Sequence, residues 1–319
     1  MEKSIKHIHF QITRNCNLRC SFCGQWGKKG FFRDASGTEM TFADWEKVIS
    51  ELENKKGIND PLPTVTVWGG EPLVSPDFDP LMRLLKGKGF KTEIITNGVL
   101  IDKHAEVIKT KVDKLYVSID GTKKIHDSVR GKGVFDKVIT NLIKLGHPCL
   151  TVMSVITEGL VENLPEFLNI LNSLDLKELF LQDMIGLRKE QIASYKEWMK
   201  ADFGITASDI DSWANDGKID FNKELNEKLS GIAENEYGFK ITHKKHINEG
   251  VCSSPFSHPH IAWNGNVHYC TDFYDFSAGN VKKDDLYDIF QNETSERFRQ
   301  AITENKCSAC DACSWRIKE

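Results

Sequence analysis

From residue 7 to residue 13 apolar and polar side chains alternate, with Ile8, Phe10 and Ile12 on one face, which is the period of a half-buried strand. The pattern then turns helical. Trp45, Val48, Ile49 and Leu52 recur at intervals of three and four behind Thr41 and Asp44, which make a capping-box start. The same pair of patterns repeats down the chain. Strands are expected at Thr64–Trp68, Thr92–Thr96, 115–119, 150–156 and 178–181. Helices are expected around Phe78, Leu81, Met82, Leu84 and Leu85, and over 102–110, Val134–Leu145 and 164–174. Six strands alternating with helices imply an α/β fold whose parallel sheet, joined by right-handed crossovers, curls into a partial (β/α)6 TIM-type barrel. Chemistry in such folds gathers at the C-terminal ends of the strands.

The alternation stops after residue 185. Polar helical segments at 190–199 and 221–232, with no clear strand from 186 to 238, read as a linker or lid, and Trp198 and Trp213 read as packing residues within it. Further on, Asn264-Gly265 between alternating apolar residues is a hairpin signal. The expected division is therefore a barrel at 1–185, a helical linker or lid at 186–245 and a small C-terminal β-hairpin/α domain at 246–319.

Charge narrows the classes of partner. With 42 Lys and Arg against 46 Asp and Glu over 319 residues, the net charge of −4 gives no support for general nucleic-acid binding or membrane-surface binding. No apolar run is long enough to span a bilayer and the N-terminus lacks a secretory h-region, so a cytoplasmic location is expected. Eight of nine cysteines fall in two clusters, which in a reducing compartment argues for metal and against disulfides. Cys149 stands alone beside Pro148 and is expected to be an inert buried thiol.

The first cluster, Cys16, Cys20 and Cys23, is spaced C-x3-C-x2-C at the end of the first strand. Three thiolates on one short loop can wrap one face of a cubic iron-sulfur cluster and leave the fourth iron open to a substrate or cofactor. A structural zinc knot is the alternative, though zinc normally has a fourth local Cys or His. Phe22 could shield a cluster or simply pack. After the second strand comes Gly69-Gly70-Glu71-Pro72, whose paired glycines let a ligand approach the backbone without a Cβ in the way.

Together, Cys16, Cys20, Phe22 and Cys23, followed one β/α unit later by Gly69-Gly70-Glu71-Pro72, resemble the signature of the radical S-adenosylmethionine (radical SAM) superfamily. The resemblance implies a [4Fe-4S] cluster with an open iron that chelates S-adenosylmethionine. It also implies methionine or ribose contacts from Gly69, Gly70, Glu71, Pro72, Asn97 and Ser118, with Thr96 as a further position, and an Arg130 fork on the methionine carboxylate.

The second cluster is Cys252, Cys270, Cys307, Cys310 and Cys313. Its spacing, C-x2-C included, and Gly279-Asn280-Val281 with a helical stretch at 286–290 resemble the SPASM/Twitch extension, which implies an auxiliary [4Fe-4S] cluster. Five cysteines suffice for one such cluster, which favours the shorter Twitch form and leaves Cys307 or Cys313 as a spare. A zinc ribbon would use similar hairpins. His258, His260 and His268 lie close enough in sequence to compete as ligands, although hairpin histidines are more often on the surface.

The resemblance implies reductive cleavage of S-adenosylmethionine to a 5′-deoxyadenosyl radical, hydrogen-atom abstraction from a substrate, and an external one-electron donor such as flavodoxin or ferredoxin. A peptide or protein side chain is the first expectation for the substrate, with oxidation, cross-linking or epimerisation as the outcome. Oxidation of a small-molecule alcohol is the alternative. Two readings from other classes stay open, a zinc-stabilised binding module and an electron-transfer protein with two closed clusters.

Overall fold

In the computed structural model, which describes residues 1–33, 36–55, 61–215, 222–232, 236–244 and 250–313, one ten-stranded sheet runs through the chain. Its strands are β1 (His7–Gln11), β2 (Thr64–Trp68), β3 (Thr92–Thr96), β4 (Lys114–Ser118), β5 (Leu150–Val155), β6 (Glu178–Gln182), β7 (Lys240–Lys244), β8 (His260–Ile261), β9 (Asn266–His268) and β10 (Gly279–Asn280). Their order is β10-β9-β8-β1-β2-β3-β4-β5-β6-β7. Neighbours from β8 through β7 pair in parallel and the last two pairings are antiparallel, so this is a partial barrel with a hairpin edge.

Two strands depart from expectation. A seventh barrel strand, β7, lies within the segment read as a helical linker and pairs with β6 from Glu178↔Lys240 to Gln182↔Lys244. The C-terminal hairpin is continuous with the barrel, because β8 pairs with β1 through His9↔His260 and Phe10↔Ile261. The helix expected at 102–110 is a 3-10 turn at Ile101–Lys103 followed by a helix at Ala105–Lys111. The linker helices are Lys189–Phe203 and Asn222–Ser230; Phe221, the expected start of the second, lies outside the described residues.

The two faces of the sheet have opposite chemistry. On the outer face Ile8, Phe10, Val65, Val67, Leu115 and Val117 are fully buried under the helices. The helix Phe42–Asn54, started by the Thr41–Asp44 capping box, lays Trp45, Val48, Ile49 and Leu52 there, and the Trp45 ring sits 4.9 Å from Phe10. Each such side chain contributes roughly 1.5–3 kcal/mol by leaving water. The inner face is polar low in the barrel. Thr66 donates to Glu93 at 3.3 Å, Thr242 donates to Glu178 at 2.6 Å, and Lys114 lies 3.6 Å from Glu178. Toward the strand ends the inner face opens into a cavity. Among the described residues no helix is long and apolar enough to cross a membrane.

Candidate active site

The cysteine loop leaves β1 through Thr13 and is held on both sides. Ser21 N–H donates to Val129 O at 3.0 Å, Cys23 N–H to Cys20 O at 3.2 Å, and Gly27 N–H to Cys23 O at 2.8 Å. Each thiol meets a donor. Leu18 N–H lies 3.4 Å from Cys16 Sγ, Trp26 N–H 3.3 Å from Cys23 Sγ, and Arg130 Nη1 3.8 Å from Cys20 Sγ. Such donors favour a thiolate, but burial outweighs them and pushes the Cys16 thiol up to about 12 and the Cys20 thiol upward. Burial thus holds Cys16 and Cys20 toward the thiol form, from which an iron centre would take the protons on binding, after which the same donors would hold the negative sulfurs. None of the nine cysteines is in a disulfide. Among the described residues no group of three or more His, Cys, Asp or Glu is arranged to hold a metal ion; the two cysteine sets instead face two cavities.

The glycines of Gly69-Gly70-Glu71-Pro72 answer a need that spacing alone does not show. A Cβ on Gly69 would stand 2.5 Å from Thr13 O, and one on Gly70 2.3 Å from both Arg14 O and Asn15 O. Their absence lets the end of β2 bond to the start of the cysteine loop, through Gly70 N–H to Thr13 O at 2.9 Å and Glu71 N–H to Asn15 O at 2.8 Å. The expected reason was access for a ligand; the closest approach here is backbone on backbone, with both glycines also on the cavity wall. The Glu71 carboxylate, 1% exposed, accepts from Leu73 N–H (3.1 Å), Thr96 Oγ1 (2.7 Å) and Asn97 N–H (2.7 Å), and burial raises its pKa in spite of them. Pro72 is the first residue of the 3-10 turn Pro72–Val74 and lies off the cavity wall.

The first cavity, about 280 Å³, is lined by Cys16, Cys20, Cys23, Phe22, Gly69, Gly70, Glu71, Asn97, Ser118 and Arg130. Asn97 Nδ2 donates to Asn17 in the cysteine loop at 2.8 Å, tying the end of β3 to it. Arg130 is largely buried, which disfavours its charge, yet the fully buried Asp120 carboxylate on its Nε, joined by the Cys20 and Cys23 sulfurs whenever these are thiolates, holds it firmly protonated. Its guanidinium also lies 5.8 Å from the Phe22 ring centre.

The second cavity, about 90 Å³, is faced by all five of Cys252, Cys270, Cys307, Cys310 and Cys313. Gly265 takes the left-handed φ of +90° that the Asn-Gly turn requires, so the hairpin forms and brings Cys252 and Cys270 to one cavity. The histidines of this region are not surface residues. His260 is 0% and His268 3% exposed; His268 Nδ1 bonds Phe276 O at 2.6 Å, and none of His258, His260 and His268 lines either cavity.

His9, Thr271 and Asp272 line both cavities. Burial pushes Asp272 up to about 7. These three, with Trp68, Met153 and Gln182 on the first cavity, were not singled out from the sequence. The strand residues among them share inward parity with Ser118, which was the available signal. Trp213 packs on Gly24, where a Cβ would meet its ring at 2.4 Å, donates to Asp272 O at 2.9 Å and also faces the first cavity, while Trp198 faces the second. Cys149 is exposed, contrary to the expected burial.

The family model of the radical SAM superfamily matches residues 10–174, just over half of the chain. The chain belongs to the radical SAM superfamily. A second model, SPASM, an iron-sulfur cluster-binding domain, matches residues 252–314, where the cysteine count had favoured the Twitch form. Membership brings the cofactors with it: a [4Fe-4S] cluster, S-adenosylmethionine and auxiliary iron-sulfur binding in the SPASM domain. Among relatives, the tungsten-containing aldehyde ferredoxin oxidoreductase cofactor-modifying protein of Pyrococcus furiosus is 28% identical, covering 98% of this chain and 89% of its own. The serine-type anaerobic sulfatase-maturating enzyme of Bacteroides thetaiotaomicron is 25% identical over 93% of this chain and 77% of its own. In fold, the radical SAM chain matches Streptococcus suis SuiB bound to S-adenosylmethionine with a TM-score of 0.70 at 17% identity, covering 99% of this chain and 73% of that one; SuiB has also been solved with its precursor peptide SuiA.

Proposed function

We propose that this radical SAM enzyme is a maturase that removes a hydrogen atom from a peptide or protein side chain and oxidises, cross-links or epimerises it with help from one auxiliary [4Fe-4S] cluster. The observation that carries this reading is the wall that the two cavities share through His9, Thr271 and Asp272. A substrate in the first cavity lies against the same residues that border the five-cysteine cavity, so hydrogen removal and electron withdrawal can act on one bound molecule. When bound, the open-iron cluster and S-adenosylmethionine supply a 5′-deoxyadenosyl radical.

The chain's own groups bind and orient. Cys16, Cys20 and Cys23 hold the first cluster, with Phe22 beside it. The edge formed by Gly69, Gly70 and Glu71, with Pro72 behind it, and the polar groups of Asn97 and Ser118 position S-adenosylmethionine. Arg130, kept charged by Asp120, turns a guanidinium face to the cavity for the methionine carboxylate. Four of Cys252, Cys270, Cys307, Cys310 and Cys313 hold the auxiliary cluster. An external one-electron donor such as flavodoxin or ferredoxin supplies the reducing electron. The names of the sulfatase-maturating relative and of the SuiB–SuiA complex support a peptide substrate.

One observation favours the second reading, oxidation of a small-molecule alcohol. At about 280 Å³ the first cavity sits at the low end of ordinary ligand pockets, and S-adenosylmethionine must share it. To separate the two, the reconstituted enzyme is incubated anaerobically with peptide and small-molecule fractions from cells grown on deuterated medium. Deuterium entering 5′-deoxyadenosine from the peptide fraction supports the first reading. Transfer only from the small-molecule fraction would replace it with the second.

A further inference from the structure

The chain is acidic overall, yet residues 14–33 contain five of its basic residues (Arg14, Arg19, Lys28, Lys29 and Arg33) and no carboxylate. The fold gathers four of these at one place. Gly27 N–H bonds Cys23 O at 2.8 Å and Gly30 N–H bonds Gly27 O at 2.9 Å, so Lys28 and Lys29 sit at the tip of a tight turn that starts on a cluster cysteine. Side chains at the two flanking positions would break the turn, since a Cβ on Gly27 would lie 2.4 Å from Cys23 O and one on Gly30 2.2 Å from Gln25 O.

The turn is anchored from below. Phe32, 4% exposed, packs edge-on to Trp26 at 6.2 Å, Trp263 at 6.2 Å and Tyr274 at 5.9 Å, which leaves Lys28 and Lys29 facing solvent. Arg33 Nη1 reaches back to Gly27 O at 3.4 Å. The Arg19 guanidinium lies 4.3 Å from the Trp26 ring centre and donates to Cys16 O and Leu18 O, each at 2.7 Å. Arg19, Lys28, Lys29 and Arg33 are all exposed, and among the described residues none of them is in an ion pair. The next acidic residue along the chain, Asp34, lies outside the described residues.

We infer that this basic turn is the docking surface for an acidic one-electron carrier protein, which delivers the reducing electron to the cluster held by Cys16, Cys20 and Cys23. The inference rests on the radical SAM reading above and adds where the donor binds. The step transfers one electron: the reduced carrier is oxidised by one electron and the cluster is reduced by one, with no bond made or broken and no proton moved. Charge complementarity picks the partner. A patch of exposed like charges steers an oppositely charged protein and raises its association rate by about 10–10³, an effect that salt screens beyond a Debye length of about 8 Å at physiological ionic strength.

The test compares the reconstituted wild type with the double reversal Lys28→Glu/Lys29→Glu, using a purified acidic flavodoxin as the probe. Affinity for flavodoxin is measured at low and at raised salt, alongside iron content and the rate of 5′-deoxyadenosine formation driven by dithionite, which needs no docking. The inference expects wild-type affinity to fall with salt and the variant to bind about tenfold or more weakly at low salt, with iron content and the dithionite-driven rate unchanged. Unchanged flavodoxin affinity in the variant overturns it. So does a parallel fall in the dithionite-driven rate, repeated in the milder Lys28→Gln/Lys29→Gln, which would place the lysines in the site itself. Loss of binding to phosphatidylglycerol vesicles with flavodoxin affinity retained would assign the patch to a lipid surface and also overturn it. If wild type makes no 5′-deoxyadenosine with dithionite, the radical SAM reading fails, whatever the binding result.

Discussion

A single methyl group at Gly70 should disconnect the two halves of the site. Gly70→Ala puts a Cβ 2.3 Å from two carbonyl oxygens, those of Arg14 and Asn15, and both belong to backbone that leads into the cysteine loop. Neither oxygen can swing aside as a side-chain tip would, so the loop or the end of β2 must move. The movement strains the bonds Gly70 N–H to Thr13 O and Glu71 N–H to Asn15 O. Overpacking of this kind costs about 1–3 kcal/mol, and two weakened backbone hydrogen bonds add about 0.5–1.5 kcal/mol each, so the total is about 2–6 kcal/mol. At about 2 °C per kcal/mol for a chain of this size, the melting temperature should fall by roughly 4–12 °C. Because the shift separates Glu71 from the cysteine loop, binding of S-adenosylmethionine to the reconstituted variant should also weaken by about tenfold or more. Gly87→Ala is the control, since nothing lies within 4 Å of its Cβ. Thermal melting and equilibrium binding of all three proteins decide the matter. If Gly70→Ala melts and binds as wild type does, the backbone-contact account of the glycine pair is wrong.

Cys20→Ala should abolish 5′-deoxyadenosine formation, because two thiolates will not retain the cluster, whereas Cys270→Ala should leave some uncoupled cleavage and stop product formation; equal loss in both would mean that the C-terminal set mainly supports folding. His126 is neutral in the folded chain, its pKa lowered by burial to about 4, while in the unfolded chain it titrates near 6.5. The folded state therefore binds fewer protons across that window, and this residue's contribution to stability is lost as pH falls from about 6.5 to about 4. Asp209 and Asp272, raised to about 6 and about 7, act in the opposite sense, so the informative quantity is the difference between proteins. Urea unfolding at pH 7 and pH 5 should show a smaller acid-induced loss in His126→Gln than in wild type, and an equal loss would contradict the assignment. Cys149, being exposed while the other eight thiols face the two cavities, should be the one thiol of the reconstituted protein that reacts rapidly with a maleimide; Cys149→Ser should remove that phase.

The barrel was legible in the sequence wherever a strand had one apolar face to hide. The bounds Thr64–Trp68, Thr92–Thr96 and Val134–Leu145 match the pattern residue for residue, because Val65, Val67 and Ile94 face the helices while Phe135, Val138 and Leu142 face the sheet. The seventh strand escaped because Lys240, Thr242 and Lys244 alternate with only Ile241 and His243, so it carries little apolar signal and is held by its pairing with β6. Two residues of β8 could not announce a parallel pairing with a strand some 250 positions earlier.

That the cysteines, Gly69-Gly70-Glu71 and Arg130 would come together around cavities was legible because the spacing that groups them is local to strand ends and short loops. The burial of His260 and His268, the second function of Trp213 and the wall shared by His9 and Asp272 follow from tertiary packing alone. Pro72 marks the converse case, a motif residue whose place is set by the 3-10 turn behind the site.

Iron, acid-labile sulfide and zinc per chain in anaerobically reconstituted, dithionite-reduced protein, together with 5′-deoxyadenosine formed from S-adenosylmethionine, test the central claim most directly. Two four-iron clusters predict about eight irons and sulfides per chain with release of 5′-deoxyadenosine. A colourless, zinc-loaded chain that leaves S-adenosylmethionine intact would contradict the account and return both cysteine sets to a structural role.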